Sequence, residues 1–282
     1  MVGDFVWTGI DYIGESGIGR YYYEGQVPGE HFHRDLWPWH GSQCGDIDII
    51  GQRKPISRYR DILHNAVPDS VPAVYMAVRE PDGYRGKVQE TMWGTWPTFE
   101  SWNWRGWEGR PTEVEVVSTL PEVALLLDGQ EIGRKKVGRN TEYKAVFPIE
   151  YHPGRLIAIG YDATGNAFES NEIATAGTPA EIRLEVERPG SGSLAYVTAT
   201  ILDADGCIVP DADLPLLFES TGAARFLAAG SADMTDSTSY SRPLRTSRHG
   251  RALAILRLPA DAHTESGIRV STSTLPPASL TF

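Results

Sequence analysis

From about residue 108 onward the chain alternates apolar and polar positions in short runs: TEVEVVST, EVALLLDGQEIG, EYKAVFPIEY and RLIAIGYDATGNAFESNEIATA. A period of two puts every second side chain on one face, so each run predicts a half-buried β-strand. Asp128-Gly129 in LLLDGQEIG and Thr164-Gly165-Asn166 in GYDATGNAF are turn residues between two such runs, and each predicts a hairpin. A second series follows TAGTPAEIRLEVE: AYVTATILDADGCIVPDADLPLLFESTG, then GRALAILRLP and GIRVSTST. Short strands at regular spacing predict two β-sandwiches, with Gly177-Thr178-Pro179 as the boundary. GSADMTDSTSYSRPLRTSRHG is polar and rich in Ser and Thr, and reads as a long loop.

The N-terminal third is patterned differently. PISRYRDILHNAV starts with Pro55, favoured in the first turn of a helix, and spaces Ile56, Tyr59, Ile62 and Leu63 at intervals of three and four. This predicts a helix over residues 55–66. VPAVYMAVRE then reads as a strand and PDGY as its turn. Near the start, GDFVWTGIDYIGES reads as a buried strand over residues 4–11 running into a Gly-rich, acidic loop. All eight tryptophans fall within the first 107 residues, so two kinds of structure are joined in one chain.

Composition narrows the function classes. The 282 residues suffice for two or three compact units, and 41% hydrophobic with 22% charged residues excludes general disorder. No apolar run approaches the roughly eighteen residues that a membrane-spanning helix needs, and nothing in the first twenty residues directs export. A formal charge of −11 disfavours nucleic acid and anionic membranes as partners, because both need clustered Lys and Arg. Neutral sugars stay open. Cys44 and Cys207 lie too far apart in sequence for a disulfide framework or a zinc motif, and read as free thiols.

Candidate chemistry is sparse. Asp46 and Asp48 in CGDIDIIG alternate with isoleucines and would sit about 6.6 Å apart on one strand, but neighbours on one strand cannot flank a sugar from opposite sides. His31 and His33, with His40 further on, have a spacing that can bind zinc, yet a third ligand would have to be assumed; loop histidines packed among Trp37, Pro38 and Trp39 are the simpler reading. No phosphate-binding Gly motif opens a helix and no nucleophile elbow occurs. The aromatic residues are the most informative. Trp7, Tyr21, Tyr22, Tyr23, Trp37 and Trp39 offer flat apolar faces on which sugar rings stack; for Trp37, Trp39 and the cluster at 93–107, sealing a core end is the simpler role.

The order GDFVWTGIDYIGE, PWHGSQCGDIDIIGQRKPISRYRDIL, VEVVSTLPEVALLLDGQEIG resembles the C-terminal portion of glycoside hydrolase family 2 β-galactosidases across essentially the whole chain. VALLLDGQEIG departs from that family's pattern only in having Asp128 where Asn is usual, and either suits the turn. The resemblance implies a mainly β fold: two immunoglobulin-like β-sandwich domains at 93–176 and 178–282, preceded over 1–92 by the last strand-helix piece of a (β/α)8 TIM barrel. It further implies that Trp7 floors the sugar subsite and that Asp46 matches a polar residue near the sugar's hydroxymethyl end, with Asp48 an alternative because the loop alignment slides by a residue or two. The family's mechanism is retaining, with one Glu as acid/base and another as nucleophile on earlier barrel strands. Neither glutamate has a match here, and Glu15, Glu24 and Glu30 do not correspond to them. The expectation is therefore an enzyme of terminal β-galactosides in its complete form, with no catalytic residue, cofactor or metal in this chain. The chain alone would be inactive, or would dock onto a separate N-terminal catalytic part. The competing expectation is a stand-alone immunoglobulin-like module that binds carbohydrate or protein.

Overall fold

The computed structural model describes residues 6–26, 36–64, 72–91, 94–188, 192–260 and 264–282, and is mainly β. It divides into two compact units, residues 1–175 and 176–282. Unit 1 contains β1 (Tyr12–Ile13), β2 (Tyr21–Tyr23), β3 (Gly41–Ser42), α1 (Pro55–His64), β4 (Val74–Arg79), β5 (Val88–Glu90) and β6 (Thr98–Phe99). It continues with β7 (Pro111–Ser118), β8 (Glu122–Leu127), β9 (Gln130–Lys136), β10 (Lys144–Glu150), β11 (Arg155–Tyr161) and β12 (Ala167–Ala174).

Two four-stranded antiparallel sheets, ordered β10-β7-β4-β6 and β12-β11-β8-β9, enclose one core. Val74, Met76, Val78, Val114 and Val116 face Val123, Leu125, Leu156 and Ala158, all fully buried; these are the alternating apolar positions of the sequence. The β8–β9 connection is a two-residue turn with Asp128 at φ 50° and Gly129 at φ 83°, which is why an Asx-Gly pair stands there. β4, which falls within the segment 1–92, lies inside the first sheet, hydrogen-bonded to β7 along Val74–Val78. Where β4 has no strand on its other side, side chains of β12 substitute: Asn171 Oδ1 accepts the Met76 N–H at 3.0 Å, and Glu169 Oε2 accepts that of Ala73 at 3.0 Å. Together they close the seam between the sheets.

Helix α1 covers the outer face of the first sheet. Ile62 packs against Tyr75, Ala77 and Val117, with Tyr59 alongside. The expected helix ends at His64 among the described residues, and positions 65 and 66 lie outside them. The strand expected over 4–11 is not regular among the described residues: Ile10 makes a single parallel bridge to Ile47, and only Tyr12–Ile13 pairs, with Gly41–Ser42. A strand needs neighbours for its N–H and C=O groups, and in this chain the 41–47 loop is the neighbour.

Unit 2 contains β13 (Glu181–Glu187), β14 (Leu194–Leu202), β15 (Pro215–Gly222), β16 (Arg225–Gly230), β17 (Leu244–Thr246), β18 (Arg251–Arg257), β19 (Ser266–Ser271) and β20 (Ala278–Thr281). Its sheets, β13-β14-β18-β16 and β17-β15-β19-β20, bury Val197, Ala254 and Leu256 from one side and Leu216, Phe218, Ile268 and Val270 from the other. The polar stretch 230–250, read as a loop, carries the short strand β17. Within it Arg245 is buried, donating to Asp236 Oδ2 (2.6 Å) and to the carbonyls of Ala229 (2.9 Å), Thr238 (3.1 Å) and Ser239 (3.1 Å). One buried cation thus organises a segment that has few apolar side chains to do so.

Candidate functional site

The N-terminal segment 7–15 and the loop 41–48 run side by side and build the candidate site together. Thr8 N–H donates to the Cys44 carbonyl (3.4 Å), Asp46 N–H to Thr8 (3.1 Å), Ile47 N–H to Gly9 (3.0 Å) and Asp11 N–H to Ile47 (2.8 Å). Close approach of the two backbones requires Gly45, where a Cβ would collide with the backbone of Asp11.

Trp7 stands 66% exposed at the head of this ladder. Its indole N–H donates to the Tyr12 hydroxyl at 3.2 Å, the two rings meet edge to face at 6.3 Å, and Tyr12 in turn donates to Glu15. The ring is therefore held by its polar edge and presents its face to solvent, the arrangement a stacking platform needs. The Trp7–Thr8 peptide is cis. Val6, Ile10 and Ile13 on the same segment are each more than half exposed.

Asp46 sits beside the platform through its bond to Thr8, and its carboxylate faces Arg60 of α1, with Nε 3.1 Å from Oδ1 and 2.8 Å from Oδ2. Asp48 has a different task. Its Oδ1 accepts the Ile50 N–H at 3.0 Å and the Gln52 N–H at 2.8 Å, closing the turn that leads to the helix. Burial pushes its carboxyl up to about 6, against the pull of those two amides.

Sequence reasoning missed three residues of this constellation. Asp11 is buried, and its Oδ1 receives the Gly45 N–H (2.8 Å) and Lys54 Nζ (2.6 Å). Burial raises its carboxyl above the ordinary value, with Lys54 opposing. Lys54 also donates from Nζ to the Gln43 carbonyl (2.8 Å) and from its backbone N–H to Asp46 (2.9 Å), so it clasps the loop at two points and the segment 7–15 at a third. Arg60, the third, lies on the helix whose apolar periodicity drew attention away from its polar side.

The other aromatic candidates divide. Trp102 and Trp104 are buried in the core of unit 1; Trp102 donates to the His152 carbonyl at 2.8 Å and meets Tyr151 edge-on. Trp39 donates to the Gly41 carbonyl (2.7 Å) under the Arg20 guanidinium, whereas Trp37 is 68% exposed beside His40. His31, His33, Glu30 and Trp93 lie outside the described residues. Among the described residues, no group of three or more His, Cys, Asp or Glu is gathered for a metal ion, and no helix is long and apolar enough to cross a membrane. Neither Cys44 nor Cys207 is in a disulfide.

Comparisons with known proteins show what the chain as a whole is similar to. Residues 182–281 match glycoside hydrolase family 2 C-terminal domain 5, and residues 109–169 match a domain of unknown function, DUF4982. The chain is similar to the C-terminal portion of family 2 enzymes. It is 24% identical over 270 residues to beta-galactosidase BoGH2A of Bacteroides ovatus, which covers 90% of this chain and 25% of that protein. It is 23% identical over 245 residues to a putative beta-glucuronidase of Formosa agariphila, covering 85% and 20% respectively. A family 2 glycosyl hydrolase from Bacteroides cellulosilyticus superposes over 100% of this chain and 36% of its own length, with a TM-score of 0.86 and 26% identity. A beta-glycosidase from Bacteroides vulgatus shares the fold over 87% of this chain and 28% of its own, with a TM-score of 0.70 and 20% identity. The chain thus spans about a quarter of the length of the curated relatives it matches.

Proposed function

We propose that this chain is the C-terminal part of a retaining, β-galactosidase-like glycoside hydrolase acting on terminal β-galactosides. In this reading the segment up to α1 is the final strand, loop and helix of a (β/α)8 barrel, and the paired sheets beyond it are two immunoglobulin-like β-sandwiches. Trp7 is the floor on which the sugar ring stacks, and Asp46 is the polar neighbour at its hydroxymethyl end. Asp46 is preferred over Asp48 because its backbone N–H bonds the carbonyl of Thr8, next to Trp7, whereas Asp48 serves the turn at 48–52. The acid/base and nucleophile glutamates come from protein that this chain does not cover.

One observation carries the reading: Trp7 is fixed by its indole N–H yet 66% exposed, on a segment whose Val6, Ile10 and Ile13 are also exposed. A barrel strand is apolar because neighbouring strands and helices cover it, and those covers would come from the rest of the barrel. The test is turnover of a nitrophenyl β-galactoside. The purified 282-residue chain is expected to give none, and mixing it with a separately made N-terminal barrel part is expected to restore it. Turnover by the chain alone, free of contaminating enzyme, refutes the assignment.

A further inference from the structure

We infer that α1 is a strut that sets the Trp7 platform from the four-stranded sheet, with Arg60 and Lys54 as its positioning residues. One side of the helix is seated on the sheet: Ile62 is buried against Tyr75 and Ala77 of β4 and Val117 of β7. Tyr59 reinforces the seat, its hydroxyl donating to the Glu142 carbonyl at 2.8 Å and its ring lying under Lys144 Nζ at 4.8 Å. The other side reaches the site. Arg60 holds the Asp46 carboxylate by both oxygens, and Asp46 holds the carbonyl of Thr8, the residue after Trp7. At the helix entrance Lys54 grips Asp11, Gln43 and Asp46, and its carbonyl accepts the Ser57 N–H at 2.9 Å.

Every link from sheet to platform is thus a packed or hydrogen-bonded contact, and the chain of links ends on the segment 7–11. Its partners named above are the 42–48 loop and Lys54, and both are tied to α1. A rigid helix seated on a rigid sheet fixes the height and tilt of that loop, and so of the tryptophan beside it. The β-rich part of unit 1 is then a determinant of platform geometry and not only a buttress. This inference stands on the contacts alone; the sugar reading adds only what the platform is for.

Native-state hydrogen exchange on the full chain tests it. Arg60→Gln removes the charge that holds Asp46, and the Asp46, Ile47 and Asp11 amides are expected to exchange about fivefold faster, the scale of one partly exposed ion pair. Ile62→Ala touches none of these groups, yet loosens the seat and is expected to accelerate the same amides. Should Ile62→Ala fail to fold, Tyr59→Phe is read instead, since it deletes only the bond to Glu142. Amides of β14 and β18 serve as the unaffected reference. Unchanged exchange at Asp46, Ile47 and Asp11 in Arg60→Gln, or acceleration there in Arg60→Gln alone and not in the seat variant, overturns the strut. Galactose titration followed at the Trp7 indole N–H resonance separates the two ideas. A missing response counts against the sugar reading only, because the exchange comparison contains no sugar.

Discussion

Replacing Asp48 by Asn is expected to stabilise the turn at residues 48–52, and to do so increasingly as pH rises. Asp48 Oδ1 accepts two backbone amides, a task the Asn carbonyl oxygen performs equally well. The carboxylate adds a buried negative charge that Asn lacks. Burial raises the folded carboxyl from 3.8 to about 6, so the folded chain holds a proton that the unfolded chain has lost. Because the folded value lies above the unfolded one, the cost is absent well below pH 3.8, grows through the interval and is complete above about pH 6. Linkage puts it at about 1 kcal/mol at pH 4.5 and about 3 kcal/mol at pH 7.5 as an upper bound. Urea denaturation of both proteins at the two pH values, with exchange of the Ile50 and Gln52 amides as the local reading, measures it. The expected result is an advantage for Asp48→Asn about 2 kcal/mol larger at pH 7.5 than at pH 4.5. An advantage independent of pH would show that folding does not raise the Asp48 carboxyl, and a loss that deepens at pH 7.5 would show that the ionised carboxylate is what the turn requires.

Two further outcomes follow from buried polar contacts. Asn171→Leu leaves the Met76 N–H without its acceptor in the core of unit 1, and equilibrium unfolding should show a loss of about 1–3 kcal/mol; full stability would mean that the seam has another acceptor. Arg245→Met strands the Asp236 carboxylate and frees the carbonyls of Ala229, Thr238 and Ser239; a loss of about 3–5 kcal/mol is expected, with faster proteolysis between β16 and β17 than in the parent chain, and equal proteolysis would refute the clamp.

Much of this was legible in the sequence where local chemistry decides the outcome. The Asp128-Gly129 turn, the alternation of β7 and β18 and the Pro55 helix start each follow from a few adjacent residues, and the structure has all three. The family resemblance rested on the same kind of contiguous motif. What stayed hidden depends on partners distant along the chain. Lys54 and Asp11 are 43 positions apart, and nothing local tells that one clasps the other. Arg60 was unremarkable among the charged residues of α1 until the loop carrying Asp46 came to face it. β4 was recognised as a strand, but its place between β7 and β6 is a matter of topology, which periodicity does not encode. The run at 4–11 shows the converse: a strand-like pattern states what a segment would bury, and its neighbours decide whether it becomes a strand.

The seam closed by Asn171 also orders events in time. Its partner Met76 precedes it by 95 residues, so during synthesis β4 must leave the ribosome and wait for roughly a hundred more residues before its open edge is capped. In that order of emergence, late-arriving β12 is the segment that covers early-arriving β4. Residues 80–170 must therefore emerge before the free backbone N–H groups on that edge of β4 find their acceptors.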